Sequence, residues 1–297
     1  MLTPPSVAPT VAAMTVVLGI DAAWTAAQPS GVAVVAKDDE HAAWHTVAVA
    51  PSYTSFLALA EGTAVDWTCR KSPGSTAPVK ELLAAAESLA GAAVDLVALD
   101  MPVALEAFTG RRAADQAISG TFGGRGCSTH SPSETRPGPL GRELMGTLAR
   151  LGYPLMTTAQ ADSPTYTIEV YPHPALLTLL GRDYRVPYKV GKSGKYWPGL
   201  DRPQRIARLL GEFVAMNSAL EAALGGTGLR LPRPADVPSL AALKPYEDAL
   251  DALVCAWVGC RHAEGKTAAY GNRSAAIWVP EAMPEPGPVQ GSARSAC

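Results

Sequence analysis

At 297 residues, 47% of them apolar and 18% charged, the chain can bury one sizeable core, and no uninterrupted apolar run reaches membrane-spanning length. A formal net charge of −2 excludes binding to nucleic acid through overall basicity, so an anionic partner must meet a local patch. Five cysteines, none at C-x-x-C spacing, exclude a zinc ribbon and a disulfide framework and fit a reducing cytoplasm.

The first fourteen residues lack the charged start of a secretory signal and read as a flexible segment. Thr15 to Ile20 is a continuous apolar, β-branched run, which predicts a strand buried on both faces and ending at Asp21. Gly31 to Ala36 and Trp44 to Ala50 predict a second and a third strand. Residues 52–78 give no clear element. Val79 to Gly91 reads as an Ala/Leu/Glu-rich helix with a glycine stop. Leu96 to Leu99 is a further short strand, again delivering an acid, Asp100, to its end. In an α/β sheet such strand ends are where sites form.

Arg111 to Ser119 starts a helix that runs into a Gly/Pro/Ser loop holding Arg125, His130 and Arg136. Over 111–150 six arginines face three acids. Tyr166 to Tyr171 is another strand, with Glu169 out of place inside it. Between Arg182 and Arg208 eight basic residues face two acids, with Tyr184, Tyr188, Tyr196 and Trp197 interleaved. Basic and aromatic residues together suit phosphate contact and base stacking. Lys189 and Lys195 are the candidates there, beside Arg111, Arg112, Arg125 and His130 in the earlier stretch. Ile206 to Leu224 predicts an amphipathic helix. Tyr246 to Arg261 predicts the last long helix, with an apolar stripe of Leu250, Leu253, Val254, Trp257 and Val258. Its Asp248 and Asp251 lie three apart, so they share another face one turn apart. Two acids so placed repel each other, and a divalent cation is the sharpest candidate for what they face. Ala275 to Val279 adds a possible last strand, and 280–297 reads as a disordered tail.

This order predicts one α/β domain over 15–279: a ribonuclease H-like, mixed five-stranded sheet flanked by helices, with inserts at about 111–165 and 181–245. In that arrangement strand four lies beside strand one and the last helix crosses their ends. Asp21, Asp100, Glu169, Asp248 and Asp251 would then converge as a catalytic set. Such a set cannot stay ionised and unpaired without strong repulsion. Mg²⁺ or Mn²⁺ held by Asp21, Asp100, Asp248 and Asp251 would relieve it, two ions standing roughly 3.5–4 Å apart. The expected reaction is metal-dependent hydrolysis of a phosphodiester in nucleic acid, DNA or RNA.

The stretches VLGIDAAWTAAQPSGVAVV, LDMPVAL, RRAADQAIS, CSTHSPS, IEVYPHPALLTLLG and EDALDALVCAW together resemble domain-of-unknown-function family 429. The likeness runs from about Val16 to Val279. Members of that family are predicted nucleases of ribonuclease H-like fold. The resemblance implies that Asp21, Asp100, Glu169, Asp248 and Asp251 carry the family's acidic positions, with Arg111 or Arg112 in its basic helix. One departure concerns the helix before strand four, where Glu81 and Glu87 are ordinary surface acids; Glu169 would substitute, or the site would hold one ion. Two other functions compete. One is an ATP-binding phosphotransferase of the actin-like and sugar-kinase group, which needs a second phosphate loop. The other is a non-catalytic nucleic-acid-binding module.

Overall fold

A computed structural model of the chain describes residues 14–38, 43–68, 73–159 and 163–282. Most of the expected flexible start and the expected tail lie outside the described residues, as do Cys69 and Cys297. The three opening runs form β1 (Met14–Asp21), β2 (Gly31–Asp38) and β3 (Trp44–Ala50). Helices α1 (Tyr53–Ala60) and α2 (Val79–Ala90) lead to β4 (Leu96–Asp100). Next come α3 (Ala113–Phe122), α4 (Pro139–Arg150), β5 (Tyr166–Val170) and α5 (Pro172–Leu180). The short α6 (Ser193–Tyr196), the long α7 (Arg202–Ala223), α8 (Lys244–Ala263), β6 (Thr267–Gly271) and β7 (Ala276–Pro280) complete the order.

The described sheet has seven strands in the order β3-β2-β1-β4-β5-β7-β6, not the five expected. The first three form an antiparallel meander, β4, β5 and β7 run parallel to β1, and β6 returns antiparallel to β7. Strand β6 reads TAAYG, half-buried throughout and with Tyr270 its one large side chain, so no apolar run marks it. Two helices were also unexpected. Helix α1 falls in the stretch without a clear element and starts where the Ser52 side chain accepts from the Ser55 amide. Helix α4 occupies the end of the Gly/Pro-rich stretch: Pro139 opens it, and Leu144, Met145 and Leu148 bury one side.

Helices α5, α7 and α8 cover one face of the sheet, and α1, α2 and α4 the other. Helix α8 is not merely striped. Every residue from Pro245 to Cys260 is buried, its three acids included. It sinks this far because two facing strand positions lack side chains. A Cβ on Gly19 would lie 2.4 Å from the Ala252 carbonyl oxygen, and one on Gly31 would lie 2.0 Å from that of Asp248.

Side-chain alternation along the strands then decides where the terminal acids point. Val17 packs in the α8-side core and Gly19 abuts α8, so Asp21 shares that face; Val16, Leu18 and Ile20 pack on the other. Leu96 and Ala98 put Asp100 on the same face by the same rule. Strand β5 carries Ile168 and Val170 toward α8, which turns Glu169 to the opposite side.

Candidate functional site

Asp21 and Asp100 are register partners on β1 and β4, which run about 4.8 Å apart in any such sheet. Both open onto a cleft of about 730 Å³. Among the described residues neither carboxylate takes a side-chain hydrogen bond or an ion pair. Burial, then the charge of Asp251, pushes Asp21 up to about 7, against lowering by Lys189 and Lys244. Burial, then the charge of Asp21, lifts Asp100 well above the usual carboxylate range. Two strand-end acids are thus brought together, neither taking a hydrogen bond or an ion pair from the described side chains.

The acids of α8 are compensated from within the chain. Lys244 precedes them by three and four residues, on one helix face. Its ammonium donates to Glu247 at 2.9 Å and to Asp248 Oδ1. Lys189, from the stretch before α6, donates to Asp251 Oδ2 and lies 3.5 Å from Glu247. The Tyr188 hydroxyl donates to Asp251 Oδ1 at 2.6 Å, and the Val190 amide donates to Glu247 at 2.6 Å. Both oxygens of Asp251 are therefore taken, whereas Asp248 Oδ2 is buried without a partner. Burial opposes the charge on Lys189, but Asp251, Tyr188, Glu247 and Asp21 together outweigh it and raise the ammonium well above its ordinary value. Burial likewise opposes the charge on Glu247, and Lys189 and Lys244 outweigh it, lowering that carboxyl.

Glu169 lines the same cleft but is held by partners of its own. Arg112 grips it with two bonds of 2.6 and 2.7 Å, and holds Asp115 at 2.9 and 3.0 Å. The Val103 amide adds a third bond to Glu169 at 3.1 Å. Arg112 is 6% exposed and Glu169 3%. Burial lifts Glu169 to about 7 against the pull of Arg112. Burial works against the Arg112 charge too, but Glu169 and Asp115 more than offset it and raise the guanidinium.

Over residues 19–275 the chain matches a family model described as "Protein of unknown function (DUF429)". The chain belongs to that family. No curated protein and no solved structure matches it.

In this DUF429 chain the expected phosphate-contacting residues divide. Arg112, His130 and Lys189 line the cleft. Arg111 instead donates to the Asp115 carbonyl at 2.9 Å and to Ser131 at 3.2 Å. Arg125 donates to the carbonyls of Arg182 and Asp183 at 2.7 and 2.9 Å. Lys195 is exposed and is not among the cleft-lining residues. Lys244 and Glu247 line the cleft without having been singled out, and Arg136, Arg185 and Lys192, counted only as members of the basic stretches, line it with His173. The signal for Lys244 was local: a lysine three and four residues before two acids on one helix. His173 reads from sequence as a strand-to-helix corner, and it is one, at the start of α5. Among the described residues no three His, Cys, Asp or Glu side chains are gathered as a ready metal-ligand group. Lysines hold the α8 carboxylates, and Arg112 holds Glu169. Helices long and apolar enough to cross a membrane are absent from the described residues. Cys127, Cys255 and Cys260 are free and buried.

Proposed function

We propose that this DUF429 chain is a divalent-cation-dependent hydrolase of phosphodiesters, a nuclease of ribonuclease H-like arrangement. One observation carries the reading: two register-paired, unpartnered carboxylates, Asp21 and Asp100, stand in a cleft that also presents Arg136, Arg185 and Lys192. Acids that repel an anion and bases that attract it make sense in one cleft when a cation mediates between acids and substrate. Strand four beside strand one, with the last long helix packed over both, supports the ribonuclease H-like arrangement.

The residues fit one ion better than two. Mg²⁺ is commonly held by one or two carboxylates, several waters and the substrate's own phosphate. Asp21 and Asp100 provide that pair, and the unpartnered Oδ2 of Asp248 is a third donor nearby in charge terms. Asp251 does not fit as a ligand, because Tyr188 and Lys189 already occupy it. A bound Mg²⁺ or Mn²⁺ would supply positive charge against phosphate oxygens and a water of lowered pKa. The chain's own part is to fix Asp21 and Asp100 through the β1–β4 ladder and to keep the α8 acids from repelling substrate by neutralising them with Lys189 and Lys244.

The test is cleavage of labelled single-stranded and duplex DNA and RNA by the purified chain, with Mg²⁺, with Mn²⁺ and with chelator. Asp21→Asn and Asp100→Asn should each lose about a hundredfold or more in rate, since even outer partners of a metal site act on nearly that scale. Cleavage that survives chelator, or that is equal in wild type and both variants, would refute the reading.

A further inference from the structure

The cationic wall of the cleft is not ion-paired. Among the described residues Arg136, Arg185 and Lys192 have no carboxylate within ion-pair distance. Arg136 stands over the Trp24 ring, 5.9 Å from its centroid. Arg185 donates to the Gly126 carbonyl at 3.3 Å and lies against His173 Nε2. These charges feel one another. Burial, then Arg185 and Lys189, depresses the Lys192 ammonium, and burial, then Lys192, Arg185 and Arg136, depresses His130. Like charges gathered in one partly dry wall cost free energy until an anion completes them.

A second, independent feature lies beside them. His173 lines the cleft and is 5% exposed. A guanidinium can only donate, so Nε2 facing Arg185 is the acceptor and Nδ1 carries the hydrogen. That Nδ1 is buried with no partner, and so is Arg185 Nε. Buried donors of this kind are uncommon and call for an acceptor. Burial, then the charge of Arg185, keeps His173 uncharged at neutral pH.

We infer that Arg136, Arg185 and Lys192, with His130 and His173, form an oxyanion subsite for a terminal, dianionic phosphate of the substrate. Three cations without ion pairs match a dianion better than the single charge of an internal diester. A cleft of about 730 Å³ lies within the range of small-molecule pockets, which suits a chain end or a nucleotide rather than a duplex. The inference rests on the phosphodiester reading for its choice of substrate, but not for the subsite itself.

Inorganic phosphate, titrated calorimetrically into the full chain without divalent cation, probes the subsite apart from any cleavage. Phosphate should bind, more weakly as salt rises. Lys192→Met, a partly exposed position where misfolding is not expected, should weaken binding about tenfold, the scale of one charge-assisted bond. Arg136→Gln should weaken it as well. Asp21→Asn should bind phosphate at least as well as wild type, because it removes a repelling charge. No phosphate binding in wild type, or equal binding in wild type and Lys192→Met with unchanged melting temperatures, would overturn the subsite. Cleavage of 5′- or 3′-phosphorylated against hydroxyl-ended oligonucleotides separates the two proposals. Phosphate binding without any cleavage leaves the subsite standing and removes the nuclease. Cleavage with no phosphate binding and no preference for phosphorylated ends does the reverse.

Discussion

Asp100 and Glu169 stand at the same ends of adjacent parallel strands, one register position apart, yet their surroundings differ in kind. Glu169 is gripped by Arg112 and the Val103 amide, and Arg112 in turn holds Asp115. Asp100 has no such grip: burial, then the charge of its register partner Asp21, raises its cost of ionisation, and Asp251 and Glu169 add to it. The α8 acids fall between these cases: Asp251 is fully engaged, and Asp248 is engaged at one oxygen. An acid at a strand end therefore does not identify a site by its position. What separates a structural acid from a candidate ligand is whether the chain supplies the opposing charge. The Arg112 triad is a closed unit that fixes the loop after β4 to α3, whereas the Asp21–Asp100 pair is left open toward the cleft.

The largest effect should come from opening the closed unit. Arg112→Met would leave Glu169 and Asp115 buried without their cation. Breaking a buried pair from one side costs about 3–5 kcal/mol, so the midpoint of urea unfolding should fall sharply. A variant as stable as wild type would mean that the triad is not what holds these acids, and the contrast with Asp21–Asp100 would dissolve.

The strands bearing the open acids were legible in the sequence because β1 and β4 are short apolar runs that stop at an aspartate. The alternation rule fixes their facing once α8 is known to pack over them. Strand β6 was not legible, since Thr267–Gly271 has no apolar run and Tyr270 is its one large side chain. Helix α4 was hidden by the glycines and prolines before it. Glu169 shows the limit at the site. It looked equivalent to Asp100 in one dimension, and only the parity of Ile168 and Val170 puts it on the sheet face opposite α8, within reach of Arg112. Lys244 could be read from spacing, but Lys189 could not. It lies 62 residues from Asp251, and nothing local in a Gly-rich basic stretch says that it returns to an α8 acid.

Lys189→Met sharpens the intermediate case. It would leave Asp251, which has no exposure, with Tyr188 as its remaining donor. The expected loss is about 2 kcal/mol, within the range for a buried polar group deprived of a partner. It should be smaller than for Arg112→Met, because the Lys189 side chain is 23% exposed and water can enter. The measurement is again a denaturant midpoint at neutral pH. A loss equal to or larger than that of Arg112→Met would place Lys189, not Arg112, at the centre of the acid framework.

The smallest expected effect has the opposite sign. Asp21 is raised from 3.8 to about 7 in the folded chain. A carboxyl whose folded pKa exceeds its unfolded one contributes stability that is complete below the unfolded value and lost as pH rises through the folded value. Between about pH 4 and pH 7 ionisation of Asp21 therefore works against folding. Asp21→Asn removes that ionisation, so without divalent cation the variant should be the more stable protein at pH 8, by about 1 kcal/mol, the usual gain from relieving a strained site. The advantage should shrink toward pH 5, where wild-type Asp21 is itself protonated. Saturating Mg²⁺ should shrink it from the other side, because an ion that binds the native carboxylate pair stabilises wild type by mass action. Melting curves at pH 5 and pH 8, with and without Mg²⁺, give all four values. An Asn variant less stable than wild type at pH 8 without metal would mean that Asp21 is held by a partner after all, as Glu169 is, and the open pair would lose its claim to be the site.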